Sequence, residues 1–149
     1  MQSDDRHIPA VPLVLGVAGL IPFVTLAVAE AAGWRLFGWS PAFQHAALAT
    51  YGALIVSFLG GIRWGLAVGM EDQRAARFEY ALSVVPQLLA WASLAAPAPW
   101  DLRALAAIVI GLGFLDYTLV FGGKAPTWFG RLRLGLSAGA GFSLLLAGS

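Results

Sequence analysis

Cysteine is absent from this chain, and histidine occurs only twice, as His7 and His45. Disulfides, thiolate nucleophiles, iron–sulfur clusters and cysteine zinc sites are therefore excluded, and two lone histidines make no metal or haem spacing. Charge is scarce too: 11% of 149 residues, with a net value of +1. So weak a positive balance lacks the electrostatic attraction on which nucleic-acid binding rests. Catalytic signatures are also missing. There is no nucleophile elbow and no His-Glu-x-x-His, and Gly122-Gly123-Lys124-Ala125 lacks the upstream glycine and the Ser or Thr of a phosphate-binding loop. The chain reads as a non-enzyme without cofactor or metal.

Apolar residues are in excess. At 59% hydrophobic and a mean hydropathy of +0.77, too few polar side chains remain to cover a soluble globule. The expected fold is all-α: one integral membrane domain over residues 1–149, a bundle of five transmembrane helices at about 10–32, 43–70, 78–96, 102–121 and 128–147. The breaks carry Gly33, Gly38, Ser40 and Pro41, then Glu71 to Arg77, then Pro97, Pro99 and Asp101, then Gly122 to Pro126. The fifth span is strictly apolar only from Leu134 and needs the lead-in from Trp128; a re-entrant end is its alternative. Pro22 and Pro86 predict kinks. Ala27-Val28-Ala29 looks like a signal-peptidase site, but the apolar run is too long and Asp4 and Asp5 precede it, so the segment reads as a span.

With the N-terminus inside, Arg6, Arg74, Arg77, Lys124, Arg131 and Arg133 fall on the inner side, against Arg35 and Arg103 outside. That asymmetry predicts N-in/C-out. Two similar halves, as an inverted-repeat transporter needs, are not visible in the five-span pattern.

Arg63 stands out because it lies within the long second span, in Ser57-Phe58-Leu59-Gly60-Gly61-Ile62-Arg63-Trp64-Gly65. A charge at such depth costs roughly 2.5–3.5 kcal/mol on insertion scales and usually faces protein or water. At a rise of about 1.5 Å per residue, Arg63 is about 10 Å from the inner end of its span and Asp116 about 8 Å from that of its own. Matching depth predicts an Arg63–Asp116 pair, with Tyr117, Arg131, Arg133 and Glu79 nearby. Such a cluster either fixes helix register or forms a polar pocket. Glu30, Arg35, His45 and Asp101 read as ordinary boundary residues near the outer interface.

Small residues recur every four positions in the second span, at Ala49, Ala53, Ser57, Gly61 and Gly65, and in the fifth, at Gly135, Gly139 and Ser143. Close packing of these two stripes on each other is expected.

The run Ile21-Pro22-Phe23 after Gly16 to Leu20, the segment from Ser57 to Gly65, Ser83-Val84-Val85-Pro86, and Trp128-Phe129-Gly130-Arg131-Leu132-Arg133-Leu134 together resemble a family of bacterial inner-membrane proteins of unknown function. That family, domain of unknown function 3429, includes the mitochondrial transmembrane protein 69, and the resemblance covers nearly the whole chain. It implies a multi-pass protein of the inner (cytoplasmic) membrane with no assigned reaction, substrate or cofactor.

Three readings follow. The first is an accessory or scaffold subunit, for example of a respiratory complex, binding other membrane proteins, itself or membrane lipids. The second is a proton or small-solute transporter that uses Arg63, Asp116 and Tyr117. The third is a lipid- or quinone-binding protein with Trp64, Tyr117, Trp128 and Phe129 around an apolar cleft.

Overall fold

The computed structural model describes residues 7–149, so Asp4, Asp5 and Arg6 of the leader lie outside the described residues. Five long helices follow in order: α1 Ala10–Ala31, α2 Pro41–Val68, α3 Gln73–Ser93, α4 Trp100–Phe121 and α5 Thr127–Ala147. Three of them, α1, α2 and α4, are long and apolar enough to cross a membrane. The surface carries the same signature, with Val14, Leu54, Phe58, Leu88, Trp91, Phe114 and Phe142 all exposed. Contiguous apolar surface of this kind suits lipid rather than water.

Helix ends follow local chemistry. Ser40 caps α2 by accepting from the Phe43 N–H, with Pro41 in the first turn, where its missing N–H costs nothing. α1 and α4 close on left-handed glycines, Gly33 at φ 67° and Gly123 at φ 66°. Trp34 N–H then reaches the Ala29 carbonyl and Lys124 N–H that of Leu119, satisfying carbonyls the helices leave open. α3 begins at Gln73, earlier than the expected 78. Asp72 caps it by accepting from Arg74 N–H, so the charged loop residues form its first turns. Hydropathy locates lipid-compatible sequence, whereas a helix starts at its cap. α1 and α3 continue through Pro22 and Pro86.

α4 pairs most extensively with α5, α2 with α3, and α1 with α5. The buried interior includes Phe23, Leu48, Val56, Leu59, Leu105, Leu112 and Leu144. Ala27 and Ala29 of the signal-peptidase-like triplet are fully buried, so their small size is used in packing.

The expected packing of the α2 and α5 stripes is corrected, since these helices barely touch. A strict four-residue spacing advances about 40° per step around a helix, so from Ala49 to Gly61 the stripe has turned about 120° away. Ala53 is consequently half-buried, and Ser57, Gly61 and Gly65 are exposed. On α5, Gly135 is exposed, Gly139 meets Leu20 of α1, and Ser143 is buried with its hydroxyl donating to its own helix at Gly139 O. The seams that do form mix steps of three and four: Gly52, Val56, Gly60, Arg63 and Ala67 on α2; Gly130, Arg133, Ser137, Ala140 and Leu144 on α5.

Gly60 lies so close to the Ser83 carbonyl oxygen that a Cβ would collide with it, whereas a Cβ at Gly61 meets nothing within 4 Å. Gly60→Ala should destabilise by about 1–3 kcal/mol through overpacking. Gly61→Ala should be neutral or stabilising by up to about 1 kcal/mol through helix propensity. Thermal melting of both variants in mild detergent checks the pair, and equal effects would contradict the α2–α3 contact.

Candidate functional site

Arg63, Glu79, Asp116 and Arg133 come from four different helices, each five or six residues from the helix end at the α2–α3 and α4–α5 turns. At about 1.5 Å per residue they share one level, about 8–9 Å inside the bundle. Arg63 Nη1 donates to Glu79 Oε2 at 2.6 Å, Arg63 Nε to Asp116 Oδ1 at 3.2 Å, and Arg63 Nη2 to the Leu115 carbonyl. The second oxygen of each carboxylate is also taken. Arg133 Nε donates to Asp116 Oδ2 at 2.7 Å, and Lys124 Nζ to Glu79 Oε1 at 2.9 Å. The result is one alternating chain, Lys124–Glu79–Arg63–Asp116–Arg133.

Burial sets the energetic weight of each link. The side chains of Arg63, Asp116, Glu79 and Arg133 are 1–8% exposed, and that of Lys124 is 35% exposed. Desolvating the inner four is expensive, so each depends on its partner, while Lys124 can reach polar surroundings.

The two helical hairpins share one construction. Gly60 sits three residues before Arg63 and packs on Ser83, four residues after Glu79. Gly113 sits three residues before Asp116 and packs on Ser137, four residues after Arg133. Each hairpin therefore has an ion pair near its turn and a glycine–serine contact about one turn deeper. The charges are swapped between hairpins, which is what lets Arg63 of the first bind Asp116 of the second. The repeat is parallel, with both turns at one end; a search for inverted halves passes over it, and hydropathy is blind to it.

The remaining expected residues lie apart from this chain. The Tyr117 ring packs against Phe121 at 5.4 Å and under Gly130, and Arg131 is on an exposed face of α5. Trp64 meets Tyr80 edge-to-face and Trp128 meets Phe129 in the same way, so these aromatics do not enclose a common cleft. Lys124 was legible only as a turn residue, although the glycine pair before it allows the chain to fold back toward Glu79. At the opposite end, Glu30, His45 and Asp101, expected as separate boundary residues, are joined. His45 Nδ1 lies 2.6 Å from Glu30 Oε1 and Nε2 lies 2.7 Å from Asp101 Oδ2, linking α1, α2 and α4. Only an imidazolium donates from both nitrogens. Among the described residues, no three His, Asp or Glu side chains are arranged to hold a metal ion.

Fold and site together define a helical membrane protein whose interior holds an alternating chain of paired charges. The chain belongs to the family described as Protein of unknown function (DUF3429), which matches residues 8–148 and is the one its motifs resemble. It is 38% identical to Transmembrane protein 69 of Xenopus tropicalis over 145 residues, 94% of this chain and 54% of that protein. Similarity to Transmembrane protein 69 of Mus musculus is 32% over 134 residues, 85% of this chain and 50% of that protein. The chain thus spans about half the length of these curated relatives. No solved structure matches it.

Asp116→Leu leaves two buried guanidiniums without their shared acceptor and should cost about 3–5 kcal/mol. Lys124→Met, at the partly exposed end of the chain, should cost less than about 1 kcal/mol. Unfolding titrations in mixed detergent micelles compare the two, and similar losses would contradict a chain that is anchored at Asp116.

Proposed function

We propose that the protein is a five-span, N-in/C-out accessory subunit of the bacterial inner membrane that seats a helix of a larger membrane protein in the groove between α2 and α3. At 21 residues each, α3 and α5 are as long as α1 within one residue. Their charges gather near one end, where Glu79 and Arg133 are paired inside the bundle, and that pairing supports their crossing lipid alongside the other three.

The carrying observation is polar groups on a lipid-facing groove at mid-depth. Thr50, Ala53, Ser57, Gln87 and Leu88 line it, and Ser57 Oγ donates to Gln87 Oε1 at 3.1 Å. Ser57 lies eleven residues from the end of α2 at Val68, about 16 Å into the bundle. Lipid tails offer nothing to the Gln87 amide donors, whereas a polar side chain on an adjacent helix does. Gly61 and Gly65, open on the same helix, let a backbone approach closely. A second copy related by a two-fold axis would bring groove against groove, whereas a groove fits a ridge, as a different protein can supply.

The charge chain supports this reading over transport. Both Asp116 oxygens accept from arginines, which do not release protons, so the network has the form of a staple.

Affinity purification in mild detergent should recover a membrane protein in near-stoichiometric amount with the wild type. The Gly61→Phe/Gln87→Leu variant should lose it at unchanged helicity. A wild type that purifies alone, or only with itself, overturns the proposal.

A further inference from the structure

A cleft of about 150 Å³ opens beside the charge chain, between α1 and α5 and floored by α2 and α4. Gly16, Gly19 and Leu20 form one wall and Phe58 part of the floor; among its lining residues only Arg133 and Ser137 are polar. Each of these two has a donor atom without a hydrogen bond among the described residues, Arg133 Nη2 and Ser137 Oγ. Arg133 is 7% and Ser137 3% exposed, and both donor atoms are buried beside the cleft that their residues line, Ser137 Oγ lying also against Gly113 of α4. Unpaired buried donors are unusual enough to ask for an acceptor.

We infer that this cleft binds a single-chain lipid carboxylate, with its head on Arg133 and Ser137 and its tail along α1. Three observations converge on that chemistry. Arg133 and Ser137 are four residues apart on α5, one helical turn, and a carboxylate offers two oxygens to two such donors. The connected chain holds three cations, Lys124, Arg63 and Arg133, against two anions, Glu79 and Asp116, so one further negative charge balances it. A guanidinium binds an anionic oxygen more strongly than a neutral carbonyl. Depth decides among anions. Arg133 and Ser137 lie six and ten residues past the start of α5 at Thr127, about 9 and 15 Å inside, below the level of a phospholipid phosphate. A carboxyl head on one chain follows the cleft inward, whereas a two-chain phosphate would have to leave the headgroup layer.

The full chain, delipidated in dodecyl maltoside, is titrated with tritiated palmitate and, in parallel, with methyl palmitate. Palmitate should saturate one site per chain, with the uncharged ester at least tenfold weaker. Ser137→Ala should weaken palmitate about tenfold, the effect of losing a hydrogen bond to a charged group. Gly19→Leu places a side chain where a Cβ has only Tyr51 Oη nearby, at 4.0 Å, and should abolish binding by filling the cleft without touching the charge chain. Melting temperatures of both variants should match the wild type, which separates site loss from misfolding. Wild-type protein that does not saturate with palmitate, an ester that binds as well as the acid, or a correctly melting Gly19→Leu protein that still binds each overturns the inference.

Discussion

Asp116 carries the arrangement because two arginines from different helices depend on it. Arg63 Nε and Arg133 Nε approach its two oxygens at 3.2 and 2.7 Å, and neither guanidinium can be neutralised by losing a proton. In hydrocarbon, two such cations side by side are tolerable only with the carboxylate between them. Through that one residue α2, α4 and α5 are set at a common level, and Glu79 adds α3 by bonding the far side of Arg63. Buried ion pairs are weak sources of net stability, since desolvation offsets much of the attraction. Their effect here is positional: a helix that slides by one turn leaves a charge unpaired.

That positional effect explains why the close contacts lie where they do. Helices in lipid gain nothing from burying leucine against leucine instead of acyl chain, so backbone approach at small residues matters more. Gly60 against Ser83 and Gly113 against Ser137 both lie within about a turn of the ion pairs. The charges set the register and the glycines exploit it. α1 stands outside the charge chain. It is held instead by Glu30 on His45 and by Tyr51 Oη donating to the Gly19 carbonyl at 2.9 Å, so its turn-side half, beside the cleft, is bounded mainly by apolar contact.

Depth was readable from residue counts, and azimuth was not. Counting from the expected span ends puts Arg63 and Asp116 at similar depth, because rise per residue is constant along a helix, whereas Glu79 reaches their level only because α3 starts at Gln73. The face on which a residue ends up depends on which helices are neighbours, and that is a property of the assembled bundle. The four-residue stripes failed on this point: equal spacing looked like a face, yet it winds away from the core by Gly61 and leaves Gly135 outside. The start of α3 was misplaced because apolarity and helicity are different quantities, and Asp72 caps a helix whose first turn is polar. His45 with Glu30 and Asp101 could not be joined from sequence, since three helix ends must first converge.

The swapped charges of the two hairpins have a consequence for how the bundle can be built. If both hairpins carried the same order of charges, arginine on α2 would meet arginine on α4, and the inter-hairpin contact would repel. Arginine on α2 and aspartate on α4 make that contact attractive, and the same swap places the remaining arginine, Arg133, on α5 beside α1. Arg133 spends Nε on Asp116 and is left with Nη2 unpaired next to the apolar cleft. The unpaired donor is therefore a product of the pairing that joins the hairpins: three cations alternating with two anions must end on a cation at both ends, and one end of this chain lies at a partly exposed lysine while the other lies inside.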